Sequence, residues 1–148
     1  MKRVLCVAVT LMLVFCILPV SAFASENENI YFDDGSCIVV ETINCGVRAS
    51  GSVSGGKQYT HYGSDGVTNW KAVLNGSFTY TGSSATCTSS SVDVTIYDSS
   101  WYVISKSASK SGNKATGSVT IGEKVLGITT TKVPINLTLQ CDPNGNLS

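Results

Sequence analysis

Histidine occurs once in these 148 residues, as His61, and that scarcity excludes more chemistry than any motif suggests. A nucleophile–histidine–carboxylate triad would have to be built on this one ring. No Gly-x-Ser-x-Gly elbow, phosphate loop, dinucleotide fingerprint or redox Cys-x-x-Cys is present. Methionine is missing beyond Met12, proline occurs three times, and only 14% of residues are charged. The acids are scattered singly apart from Asp33-Asp34, so no pair is marked out for glycosidase work. These gaps argue against an enzyme and against any bound cofactor.

Only one long apolar run exists. Lys2 and Arg3 precede the run at 4–18, Pro19 breaks it, and Ser21-Ala22-Phe23-Ala24 supplies an Ala-x-Ala site. Fifteen apolar residues are too few to span a bilayer, and small residues follow at the cleavage position. Residues 1–24 are therefore expected to be a signal peptide cut after Ala24. The 124 residues that follow would leave the cell, with no membrane attachment once the signal is gone. They carry eight basic and ten acidic residues, which gives no electrostatic case for nucleic acid.

What is abundant points to strands. Beyond Ala24, valine and isoleucine total 20 against five leucines, and β-branched side chains fit a pleated surface better than a helix. Trp70, Ala72, Leu74, Gly76, Phe78 and Tyr80 fall on one side of a period-2 segment that continues through Asn75-Gly76. This predicts one long strand with a bulge or close approach at Gly76. Val133, Ile135, Leu137, Leu139 and Cys141 repeat the pattern, with Pro134 marking an edge or a strand start. Val92, Val94 and Ile96 alternate likewise, as do Trp101, Val103 and Ser105.

With turns at 64–66, 81–84, 98–100, 110–113, 122–124 and 142–145, strands are expected near 36–42, 46–54, 57–62, 67–81, 85–97, 101–108, 114–122 and 126–141. The fold class is all-β, about eight strands in an antiparallel two-sheet sandwich, immunoglobulin-like or similar, with a β-barrel as the alternative. Residues 25–35 would be a flexible N-terminal arm and 36–148 a single domain.

Cys37, Cys45, Cys87 and Cys141 survive removal of the signal. Four cysteines in an exported chain imply two disulfides, with three pairings open. Cys37–Cys45 would close a short fold-back, and Cys87–Cys141 would tie the last strand to the body. Zinc is disfavoured because no close cysteine pair or second histidine accompanies them. Asp142-Pro143-Asn144-Gly145-Asn146 has oxygens at alternate positions, but glycine is missing from the sixth position of a calcium loop, so a turn is expected.

The aromatic residues are the remaining lead. Trp101 and Tyr102 are adjacent, so one should face outward, where a ring amid hydroxyls could stack on a sugar. His61 is expected to be a packing or surface residue.

The stretches 70–80, 105–116 and 137–148, which begin at Trp70, Ser105 and Leu137, resemble small exported proteins of Gram-positive, clostridia-like bacteria that carry no assigned function. The likeness covers roughly residues 67–148 and lies in strand-and-turn phrasing rather than in any catalytic motif. It implies a secreted bacterial β-sandwich, adds weight to the Cys87–Cys141 pairing and transfers no activity. The function expected is thus a secreted, non-enzymatic binding module for an extracellular protein or glycan. A carbohydrate-binding module using Trp101 or Tyr102 is one alternative, and a bacteriocin-like antagonist is another.

Overall fold

A computed structural model describes residues 28–44 and 51–148. The expected signal peptide, its expected cleavage site at Ala24, and Cys45 lie outside these residues. Eight strands follow in order: β1 (Glu28–Tyr31), β2 (Cys37–Asn44), β3 (Ser52–Tyr62), β4 (Thr68–Tyr80), β5 (Ala85–Ile96), β6 (Trp101–Ser111), β7 (Lys114–Val125) and β8 (Ile128–Gln140). They form two antiparallel sheets, ordered β1-β2-β3-β4-β5 and β6-β7-β8.

The chain is a two-sheet sandwich and not a closed barrel. Each sheet is a simple meander, every strand pairing with its neighbour in sequence, and the chain changes sheets once, between β5 and β6. Immunoglobulin domains instead exchange strands between sheets through Greek-key connections.

The inner stripe of β4 holds the sheets together. Trp70, Ala72, Leu74 and Phe78 are buried, as the alternation requires. Opposite them lie Val119 and Ile121 of β7 with Ile135, Leu137 and Leu139 of β8. Gly76 stands in the same stripe, where any side chain would require Phe78 and Leu139 to shift. A Cβ there would sit 2.8 Å from Phe78 and 3.1 Å from Leu139, and the pairing with β5 shifts register immediately after it, between Ser77 and Phe78.

Four expectations change. Glu28–Tyr31 is not a free arm but an edge strand hydrogen-bonded to β2. The two strands expected at 46–54 and 57–62 are one where the structure describes them, because Gly55 and Gly56 continue the ladder opposite Gly76 and Asn75. Gly122-Glu123-Lys124 lies inside β7, with a bulge at Glu123/Lys124, and the chain reverses at Leu126-Gly127 instead. Leu126 holds a left-handed φ of 52°, a conformation that costs a side-chain-bearing residue about 1 kcal/mol. Val103 and Ile104 are exposed, where a register shift between Val103 and Ser105 interrupts the alternation of β6.

No disulfide joins the cysteines of the described residues. Cys37, Cys87 and Cys141 are free thiols. No fold-back follows Cys37, because Cys37–Asn44 is a single extended strand whose ends are about 23 Å apart at roughly 3.3 Å per residue. Cys45, the partner expected for Cys37, lies outside the described residues.

Cys87 and Cys141 do converge on one turn. The Cys87 amide donates to Gly112 O at 2.7 Å and the Cys141 amide to Asn113 O at 3.0 Å. Burial pushes both thiols upward in pKa, and Asp142 and Cys87 raise Cys141 further.

Asp142 forms the expected turn, its carboxylate accepting from the amides of Asn144 and Asn146, both at 2.8 Å. Replacing Gly76 with valine should destabilise the protein by about 1–3 kcal/mol in urea unfolding, since the new atoms enter a filled layer. Unchanged stability would mean that the two sheets do not meet this closely.

Candidate functional site

Five strands face three, so the larger sheet extends beyond the smaller one. The β1–β2 side of the first sheet overhangs β8 and leaves a cavity of about 640 Å³ at one end of the sandwich. Phe32 and Ile38 form one wall, Pro134 and Ile135 the other, and Trp101 closes the side at the start of β6. Pro134 sits on the free edge of β8, where its missing N–H costs no ladder bond. The β1–β2, β3–β4, β5–β6 and β7–β8 connections all lie at this end.

His61 is the centre of the cavity floor. It is 3% exposed and faces Trp70 across the β3–β4 ladder. Its ring stacks on Trp70 at 5.0 Å and 11° and meets Trp101 at 5.0 Å and 51°. Phe32 adds a fourth ring at 6.1 Å. Asn69 Nδ2 lies 3.3 Å from His61 Nδ1, and with the amide as donor the neutral ring carries its proton on Nε2. Nε2 has no hydrogen-bond partner among the described residues, and the ring borders the cavity. Burial pushes its pKa down, partly opposed by the charges of Asp34 and Glu123.

Carboxylates surround the opening. Asp34, Asp65, Asp98 and Glu123 line it against a single base, Lys132. Asp34 accepts from the Ser36 hydroxyl at 2.6 Å and the Ser36 amide at 2.9 Å, and these donors hold its pKa below the ordinary carboxylate value. Asp98 is lowered in the same way by the amide and hydroxyl of Ser100, both at 2.9 Å. Each acid caps a turn, yet each stays exposed and ionised at neutral pH.

The sequence singled out Trp101 and Tyr102, and the structure separates them. Trp101 is 7% exposed and lines the cavity, its ring packed against His61 and Trp70, so it is no open platform. Tyr102 points the other way and is half-buried. Its hydroxyl lies 2.6 Å from the Thr129 hydroxyl, and Lys124 Nζ sits 4.3 Å over its ring.

Phe32, Asp34 and Asn69 escaped sequence reasoning, as their elements meet only through the turns. Tyr62 and Tyr97 were also missed. They flank a more open groove of about 810 Å³ on the outer face of the larger sheet, beside Gln58, Thr60 and Lys71. Asp98 borders both depressions.

Ser36, Asp34 and His61 gather here without forming a triad, because the serine hydroxyl turns to Asp34 and the histidine turns to Asn69. Among the described residues no three histidine, cysteine or acidic side chains converge to hold a metal.

A buried, depressed histidine makes stability depend on pH in one direction. Below about pH 6.5 the unfolded chain takes up a proton that folded His61 refuses, so stability falls as pH falls. The lowered Asp34, Asp98 and Asp142 add a separate loss only in the range below the ordinary aspartate value. The melting temperature should therefore drop between pH 7 and 5, and His61→Phe should flatten that drop. His61→Ala should cost about 2 kcal/mol or more, through the emptied ring position. An equal pH dependence in wild type and His61→Phe would show that His61 is not the titrating group. The chain matches no family model, no curated protein and no solved structure.

Proposed function

We propose that this protein is a secreted, non-enzymatic binding module that takes its ligand at the loop end of the sandwich. The observation that carries the reading is the overhang cavity, which brings four carboxylates and the buried ring of His61 to one opening. Eight of the eleven exposed large apolar side chains of the described residues surround the same end: Ile30, Tyr31, Phe32, Val67, Tyr97, Val125, Leu126 and Ile128. Such grouping of apolar surface with fixed polar groups is how recognition sites are built.

A glycan is the second reading. It is favoured by the outer groove, where Tyr97 is 57% exposed beside Tyr62, Gln58 and Thr60. Panning a random-peptide library and a glycan array against the purified protein separates the two. Peptides retained by wild type and lost by a Phe32→Ser/Glu123→Lys double variant support the loop end. Peptides retained equally by both forms place binding elsewhere. Neutral sugars lost on Tyr97→Ala would instead favour the groove.

Export also bears on the thiols at the far end. In an oxidising medium we expect Cys87 and Cys141 to join. The two thiols lose two protons and two electrons, and a small disulfide oxidant is reduced to two thiols. The 54-residue separation would give about 4 kcal/mol on the loop-entropy model. Peptide mapping without reductant, on protein recovered from culture medium, should find an N-terminus at Ser25 and a linked 87–141 peptide pair. Free thiols at both positions in that sample would refute the bridge.

A further inference from the structure

We infer that the loop end docks a cationic, apolar peptide segment, with a lysine or arginine head inside the cavity and its apolar neighbours against the exposed rim. This inference rests on the binding-module reading and adds the chemistry of the partner.

Charge is the first ground. Asp33, Asp34, Asp65, Asp98 and Glu123 are half of the ten acids beyond Ala24, and all stand at this end. Lys124 and Lys132 are the bases beside them, with Lys71 across the outer groove that Asp98 also borders, and Lys124 is occupied over the Tyr102 ring. Serine donors keep Asp34 and Asp98 ionised. A cation entering between these acids also meets aromatic walls at Phe32 and Trp101, a combination that attracts ammonium and guanidinium groups.

The second ground is independent of the acids. His61 is 3% exposed and lines the cavity, and with Asn69 donating to Nδ1 its Nε2 proton has no partner among the described residues. A bare cation offers nothing to that proton. A peptide brings a backbone carbonyl that can accept it, next to the side chain that the carboxylates hold.

The rim supplies the third ground. Leu126 is 97% exposed at the tip of the β7–β8 hairpin, in the left-handed region where asparagine or glycine would sit without strain. Val125 and Ile128 flank it at 50% and 69% exposure. An apolar tip could also enter a bilayer, but five carboxylates at this end would be repelled by an anionic surface. Charge complementarity therefore selects the peptide.

The chain's only two tryptophans, Trp70 and Trp101, both touch His61, so intrinsic fluorescence reports on this cavity. The probe is a blocked hexapeptide of alternating leucine and lysine, free of aromatics, titrated into the purified protein beside its glutamate twin. A saturable change is expected with the lysine peptide, weakening as salt rises, and binding of the glutamate twin should be at least about tenfold weaker.

Asp34→Asn/Glu123→Gln should weaken the lysine peptide roughly tenfold at unchanged circular dichroism. Leu126→Asn, which relieves backbone strain, should keep or raise the melting temperature and still weaken binding about threefold. Equal binding of both peptides, binding of neither, or tighter binding of phosphatidylglycerol vesicles than of the lysine peptide would overturn the inference. Library peptides that are acidic or uncharged, yet still lost in the Phe32→Ser/Glu123→Lys variant, would overturn the charge class alone and leave the loop end as the binding site.

Discussion

The inner stripe of β4 is the constraint on which the other features depend. Trp70, Ala72, Leu74, Gly76 and Phe78 occupy every second position, and each must be covered or the sheet face stays wet. Burial of a large apolar side chain contributes about 1.5–3 kcal/mol, so a shift of one residue would forfeit several of these at once. Gly76 fixes how closely β8 approaches, because Leu139 and Phe78 already fill the space of its missing side chain.

The unequal sheets turn that constraint into a site. Three strands cannot cover five, and the uncovered inner face must be finished by something other than β8. The chain finishes it with rings: Trp70, His61, Trp101 and Phe32, each from a different strand or turn. A histidine there serves packing as an aromatic and leaves one polar nitrogen at the cavity surface, which a phenylalanine would not. Burial costs part of its basicity, and that cost is the origin of the pH dependence of stability. The Trp70 indole N–H, without a partner in the same cluster, is a further cost of building the floor from rings.

Acids reach this end for a local reason. Asp34, Asp65 and Asp98 each sit in a tight turn and accept from the backbone amide two residues on. Turn chemistry places aspartates wherever such turns occur, and the meander puts three of these turns side by side. The negative field at the cavity is thus a by-product of capping made into a collective property by topology. The far end has only Asp142 in such a turn and carries the two converging cysteines instead.

The sequence by itself determined the class, the long strands and the inner faces of β4 and β8, because period-2 alternation is a property of neighbouring residues in one chain. It also located the turns that aspartate, serine and glycine build. It misplaced the β7–β8 reversal, since leucine at a left-handed φ is no turn signal. It missed β1, whose pairing depends on β2 rather than on its own alternation. The site was hardly legible, with only Trp101 of the sequence candidates lining the cavity. His61, Asn69, Glu123 and the Phe32–Asp34 turn come from four separate elements, and nothing in their spacing announces that they meet. Only the tertiary structure decided that meeting, because a cavity between a wide sheet and a narrow one is set by strand count and register across the whole fold.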